Sequence, residues 1–184
     1  MSVTTLPIPQ NPHAAALEAA IAESARPIEC LVVAHNDPKM LSDLTAALDG
    51  EAAVVLEASQ DVWDFDGEHL PTAIAWAVEQ TGLHQVVLVG HTLAGGRQSR
   101  ASLAAAASRD SYQTLLSGVQ QSNTRILAAQ ERFALQVQQL LQVPQVANRC
   151  SSRELSVHGL LYRAESGVFL AYDAGRDTFR PLLG

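Results

Sequence analysis

The sequence predicts an α/β domain whose central sheet is mostly parallel and flanked by helices. Three aliphatic runs carry that prediction: residues 28–34 (IECLVVA), 52–58 (AAVVLEA) and 85–90 (QVVLVG). Each has the length of a strand and is apolar on both faces, and helical segments separate them. Strands buried on both faces belong in a parallel sheet covered from both sides. At 184 residues and 47% hydrophobic content, the chain has material for one substantial core.

Residues 13–25 (HAAALEAAIAESA) are Ala-rich and set Leu17 and Ile21 on one face, which predicts a helix before the first strand. A short helix over 40–48 (MLSDLTAAL) follows that strand. The segment 68–82 (EHLPTAIAWAVEQTG) predicts a helix starting near residue 70, because Pro71 is tolerated only in a first turn. After Arg97 the pattern turns helical as far as residue 142. Leu115, Val119, Ile126, Phe133, Val137 and Leu140 make one stripe, with a candidate break at 121–123 and Pro144 beyond the end. Residues 154–175 alternate about Glu165, Ser166 and Gly167, the signal of a C-terminal hairpin. Residues 1–27 are expected to form an N-terminal arm and helix, and 28–184 a single domain.

Composition narrows the function classes. The net charge is −7 and the basic residues are scattered, so nothing would neutralise a row of nucleic-acid phosphates. No apolar run approaches the ~20 residues of a membrane span. The opening residues lack the basic and apolar regions of a secretory signal, and Cys30 and Cys150 are too few for a disulfide framework, so a cytoplasmic location is expected. Eleven arginines accompany a single lysine, Lys39.

The chemistry centres on QVVLVGHTLAGG, residues 85–96, where a buried strand delivers His91 and Thr92 to a Gly-rich turn before a helix. Three architectures share that outline. A nucleophile elbow would need serine at Thr92 and glycine at Ala94, with Asp110 and His158 as the downstream acid and base. A phosphate loop has its GxxxxG spacing between Gly90 and Gly95, but Gly96 and Arg97 stand where lysine and a hydroxyl residue are needed.

The third is a metal-ligand turn, and here the sequence resembles the β-carbonic anhydrases. VLVGHTLAGG is similar to that family's G-H-[ST]-x-C-G, and VVAHNDPK (32–39) resembles its V-V-x-C-x-D-S-R. VVLEASQDVWDFDGEHLPTAIAWAVEQTGLHQVVLVGH and LSVHGLLYRAESGVFLAYD extend the likeness, which runs from about residue 28 to 173. The resemblance implies a fold with a central mostly parallel sheet, flanking helices and a C-terminal hairpin. It also implies a homodimer or higher homo-oligomer.

In that family two thiolates and one imidazole hold zinc, beside an Asp-Arg dyad. Carried over, His91 matches the imidazole, Asp37 the aspartate, His35 the first cysteine, Ala94 the second and Lys39 the dyad arginine. Ala94 coordinates nothing, and zinc in catalytic sites generally needs three protein ligands with a fourth position open. The resemblance with these changes implies a pseudoenzyme without zinc or CO₂ hydration, in which Asp37 pairs with Lys39. The alternative is an active carbonic anhydrase with a rebuilt metal site of His35, Asp37 and His91, a donor set some divalent metals accept. A zinc-free member would bind a small anion such as bicarbonate through Lys39, protonated His35 and the amides near Gly95 and Gly96. Alternatively it would serve a structural or regulatory role with itself, an active paralogue or another protein complex. His13, His69, His84 and His158 are expected at surface or packing positions, and Trp63 and Trp76 in core or interface.

Overall fold

The computed structural model describes residues 12–24, 27–35, 37–47, 53–58, 69–92 and 111–182. In chain order the elements are α1 (Pro12–Glu23), β1 (Cys30–His35), α2 (Pro38–Ala47), β2 (Ala53–Ala58), α3 (His69–Thr81) and β3 (Gln85–His91). Then come α4 (Ser111–Gln142), α5 (Pro144–Ser151), β4 (Ser156–Arg163), β5 (Val168–Asp173) and β6 (Thr178–Pro181). Among the described residues the strands form one six-stranded sheet in the order β2-β1-β3-β4-β5-β6. β2, β1, β3 and β4 are parallel, while β5 and β6 run antiparallel as a meander from β4. The expected α/β class and the C-terminal hairpin are both present.

Strand alternation divides the apolar residues between two cores. On one face Leu31, Val33, Val86, Leu88 and Leu161 meet α1, α3, α4 and α5, through residues such as Leu17, Ile74, Phe133, Val137 and Val146. On the other, Cys30, Val32, Ala34, Val87, Val89 and Tyr162 meet Met40 and Leu44 of α2. Every residue of β1 is buried, and all of β3 except Gln85, which is why these runs carry no polar alternation. Ala14 and Leu17 belong to the first core, so α1 packs on the same body as the strands. Trp76 lies half-buried against it.

Three features differ from the sequence expectation. α4 runs unbroken through 121–123, since Gln, Ser and Asn interrupt an apolar stripe without breaking backbone hydrogen bonding; residues 97–110 lie outside the described residues. Pro144 opens α5, a proline-started helix with Val146 as its buried residue, too short to show a period. β6 is four residues containing a proline, tolerated because β6 is an edge strand. Arg149 of α5 locks the helical layer: its guanidinium donates to the Val78 carbonyl and, at 2.9 Å, to the Leu83 carbonyl, at the end of α3 and the loop after it.

One close approach fixes α4 on the sheet. A Cβ on Gly90 would stand 2.4 Å from Phe133 Cδ2, and one on Gly159 would stand 2.9 Å from Val137 Cγ2 and 3.1 Å from Phe133 Cε1. Two glycines on neighbouring strands thus make the slot that seats the Phe133 ring. Gly90→Ala should lower stability by about 1–3 kcal/mol through overpacking. Phe133→Leu should recover part of the loss in the Gly90→Ala background while destabilising the parent. Urea midpoints of the four chains check this, and additive losses would show that the residues do not share the slot.

Candidate functional site

Parallel sheets in α/β folds gather ligand sites at the carboxyl ends of their strands, and the residues singled out above lie at that edge. β1 ends in His35 and β3 in His91. Asp37 follows β1 by one residue and caps α2: its Oδ1 accepts the Met40 amide at 2.8 Å, and Pro38 takes the first helical position, where no amide is missed. The carboxylate's other oxygen, Oδ2, lies 3.2 Å from His91 Nε2. The two atoms approach without the geometry of a hydrogen bond. His91 is 8% exposed and Asp37 34%, so the contact sits at the rim of the buried region.

His35 is also 8% exposed, but alternation sets it on the face of Leu31 and Val33, while His91 follows Val87 and Val89 on the opposite face. Among the described residues no group of three or more His, Cys, Asp or Glu side chains gathers to hold a metal ion. The structure joins Asp37 to His91. Ala94, Gly95 and Gly96 lie outside the described residues, and so do Asp110 and Trp63.

Lys39 does not pair with Asp37. Its Nζ lies 3.6 Å from the point a Gly167 Cβ would occupy, and the Tyr162 hydroxyl lies 3.8 Å from the same point. Its charge acts on that hydroxyl, which donates to Asp43 Oδ2 at 3.2 Å. Three side chains with polar roles here were missed from the sequence. Tyr162 is 1% exposed, with its ring centroid 5.6 Å from that of His91 and 4.9 Å from that of Phe169. Asp43 lies on the exposed side of α2, with nothing in its sequence neighbourhood to mark it. Glu165 accepts the Thr92 hydroxyl at 3.1 Å. For Tyr162 a signal existed, since it lies in LSVHGLLYRAESGVFLAYD, the segment that extends the sequence likeness.

The remaining readings of the turn can be tested on this geometry. The Thr92 hydroxyl is occupied by Glu165 and by the Ala164 amide, which donates to it at 3.2 Å. His158 is exposed and stands opposite Val87, five residues before Thr92, about 17 Å of strand away. No nucleophile triad forms with His158. The space beside Gly90, where a phosphate loop would open, is filled by Phe133. His84, like His158, is exposed, and Cys30 is buried at the opposite end of β1 from His35.

A parallel sheet with a histidine and an aspartate at its carboxyl edge, closed by an antiparallel hairpin, defines the class of α/β protein. Comparison with known proteins is specific. The family model described as "Carbonic anhydrase" matches residues 40–169, and the chain belongs to that family, in its β class. No curated protein sequence matches it significantly. Among solved structures, the β-carbonic anhydrase CcaA is 18% identical, with 90% of this chain and 89% of that chain covered at a TM-score of 0.60. The tetrameric β-carbonic anhydrases of the filamentous ascomycete Sordaria macrospora are 20% identical, covering 88% and 87% at a TM-score of 0.55. CafA, a β-carbonic anhydrase of the fungal pathogen Aspergillus fumigatus, is 20% identical, covering 86% and 80% at 0.56. At these identities the likeness to solved structures is one of fold.

Burial raises the pKa of the Tyr162 hydroxyl; the Lys39 charge beside it opposes that shift, and the hydrogen bond to Asp43 adds to it. The folded chain holds this proton more tightly than the unfolded chain. Its contribution to stability is therefore full below about pH 10, the ordinary tyrosine value, and is lost as pH rises through the folded value. Tyr162→Phe should flatten the fall in urea midpoint above about pH 10 relative to the parent. Parallel profiles would show that the hydroxyl proton is not linked to folding.

Proposed function

We propose that this carbonic anhydrase family member lacks the catalytic zinc and does not hydrate CO₂, and that it acts as a pseudoenzyme. The donor set carries the reading. Of the matched ligand positions, 35 offers an imidazole in place of a thiolate, 91 an imidazole and 94 a methyl group. Such a set does not fit a zinc held by two thiolates and one imidazole. Hydration at useful rates needs hydroxide at neutral pH, generated when a metal lowers the pKa of bound water to about 7. A histidine acting alone as general base contributes only about 10²–10⁴-fold.

One observation favours a second reading, in which His35, Asp37 and His91 hold a metal and the chain is an active carbonic anhydrase. The 3.2 Å between His91 Nε2 and Asp37 Oδ2 is close to the edge of a tetrahedron, about 3.3 Å, whose corners lie about 2.0 Å from a zinc ion. His35 would have to leave the face its strand gives it.

With no zinc, the protein serves as a homo-oligomeric scaffold or regulator in the cytoplasm, paired with itself, an active paralogue or another complex. The tetrameric state of the Sordaria macrospora proteins supports self-association. Binding of bicarbonate or a similar anion at Lys39, Gly95 and Gly96 is the other role open to the pocket. Among the described residues no helix is long and apolar enough to cross a membrane.

Purified protein should carry well under one zinc per chain and accelerate CO₂ hydration no more than buffer. Stoichiometric zinc lost on His91→Ala, with hydration lost on Asp37→Ala, would establish the second reading instead. Combining His35→Cys with Ala94→Cys should create zinc binding that neither change gives alone, seen as a melting temperature raised by zinc.

A further inference from the structure

The hairpin turn at residues 164–167 lies against the site and has no role in the chemistry above. It links β4 to β5, with the Ser166 and Gly167 amides both donating to the Arg163 carbonyl, at 3.1 and 2.8 Å. Gly167 has φ +68°, a conformation glycine adopts without strain.

The turn is fastened to the two segments that carry the Asp37–His91 pair. On the β3 side, Thr92 follows His91 directly; its hydroxyl accepts the Ala164 amide at 3.2 Å and donates to Glu165 Oε2 at 3.1 Å. On the α2 side, Lys39 follows Asp37 by two residues and sets its ammonium beside Gly167 and the Tyr162 hydroxyl. Glu165, Ser166 and Lys39 are exposed, and within the turn only Ala164 packs against a core. His91 and Tyr162 behind it are buried. A segment held by a few polar contacts at the surface opens at low free energy, whereas the strands beneath it open only with the whole fold.

We propose that the 164–167 turn is a strap across the strand ends, and that its hydrogen bonds to the Thr92 hydroxyl, and the Lys39 ammonium beside Gly167, set how often a small solute reaches the His91 ring. The strap gives the chain's single lysine a physical reason. A compact ammonium fits beside a residue without a side chain, where a planar guanidinium is broader. The inference goes beyond the proposed function and holds whether or not the pair binds a metal.

The test uses the full chain with Thr92→Val and Lys39→Met, singly and combined. Two rates are measured: native-state hydrogen exchange of the 164–167 amides, and modification of His91 by diethyl pyrocarbonate mapped by mass spectrometry. Thr92→Val removes both bonds of its hydroxyl to the turn and Lys39→Met removes the ammonium beside Gly167, so each should raise both rates at least about threefold, and the factors should multiply in the double variant. Protection of the β1 and β3 amides should be unchanged, which separates strap opening from unfolding. If Thr92→Val loses that protection, Glu165→Ala removes one of those bonds from the exposed side and takes its place. Unchanged exchange at 164–167 would overturn the ties, and faster exchange with His91 modification unchanged would overturn the gating.

Discussion

Everything at the candidate site depends on the seating of Phe133 over Gly90 and Gly159. That contact brings α4 so close to β3 and β4 that neither strand can carry a side chain at the crossing point. It sets the height of the helix layer above the sheet, and it holds β3 one residue before His91. Close-packed interiors resist small displacements, so a strand pinned there presents its last residue in one position. The second core, built on α2, then brings Asp37 to that position from the opposite face of the sheet. The pair is thus a product of two packings that share β1 and β3.

Those central strands were legible in the sequence because they are buried on both faces: an aliphatic run bounded by helices leaves little else to propose. The long helix was legible by its stripe, although the polar residues at 121–123 suggested a break that the backbone does not make. Short edge elements were not. α5 has Val146 as its buried residue and β6 has four residues, so each is held by its neighbours rather than by a pattern of its own. At the site, His35, Asp37, Lys39 and His91 could be named from motifs, but their pairing could not. Alternation separates His35 from His91 by a single residue of register, and which side of the pleat each takes is fixed only when the strands pair. Lys39 was expected on Asp37 as the carried-over dyad, whereas its length carries it to the hairpin, a contact between segments more than 120 residues apart.

The charge arrangement around Asp37 follows from the cap. One carboxylate oxygen receives the Met40 amide and so sits at the amino end of α2. The other is left pointing at His91. The cap at the start of α2 orients this carboxylate, while the Lys39 ammonium two residues on lies beside Gly167 and the Tyr162 hydroxyl.

A fold retained at 18–20% identity to solved relatives is explained by the same separation of duties. The positions that build the strand end are Gly90, Gly159, Phe133 and the aliphatic residues of β1 and β3, and each is constrained by volume. His35 is the last residue of β1 and Lys39 lies in the first turn of α2, both at the carboxyl edge of the sheet. Fold and chemistry are therefore physically separable in this chain, and membership of the family fixes the first while leaving the second to the atoms at the edge.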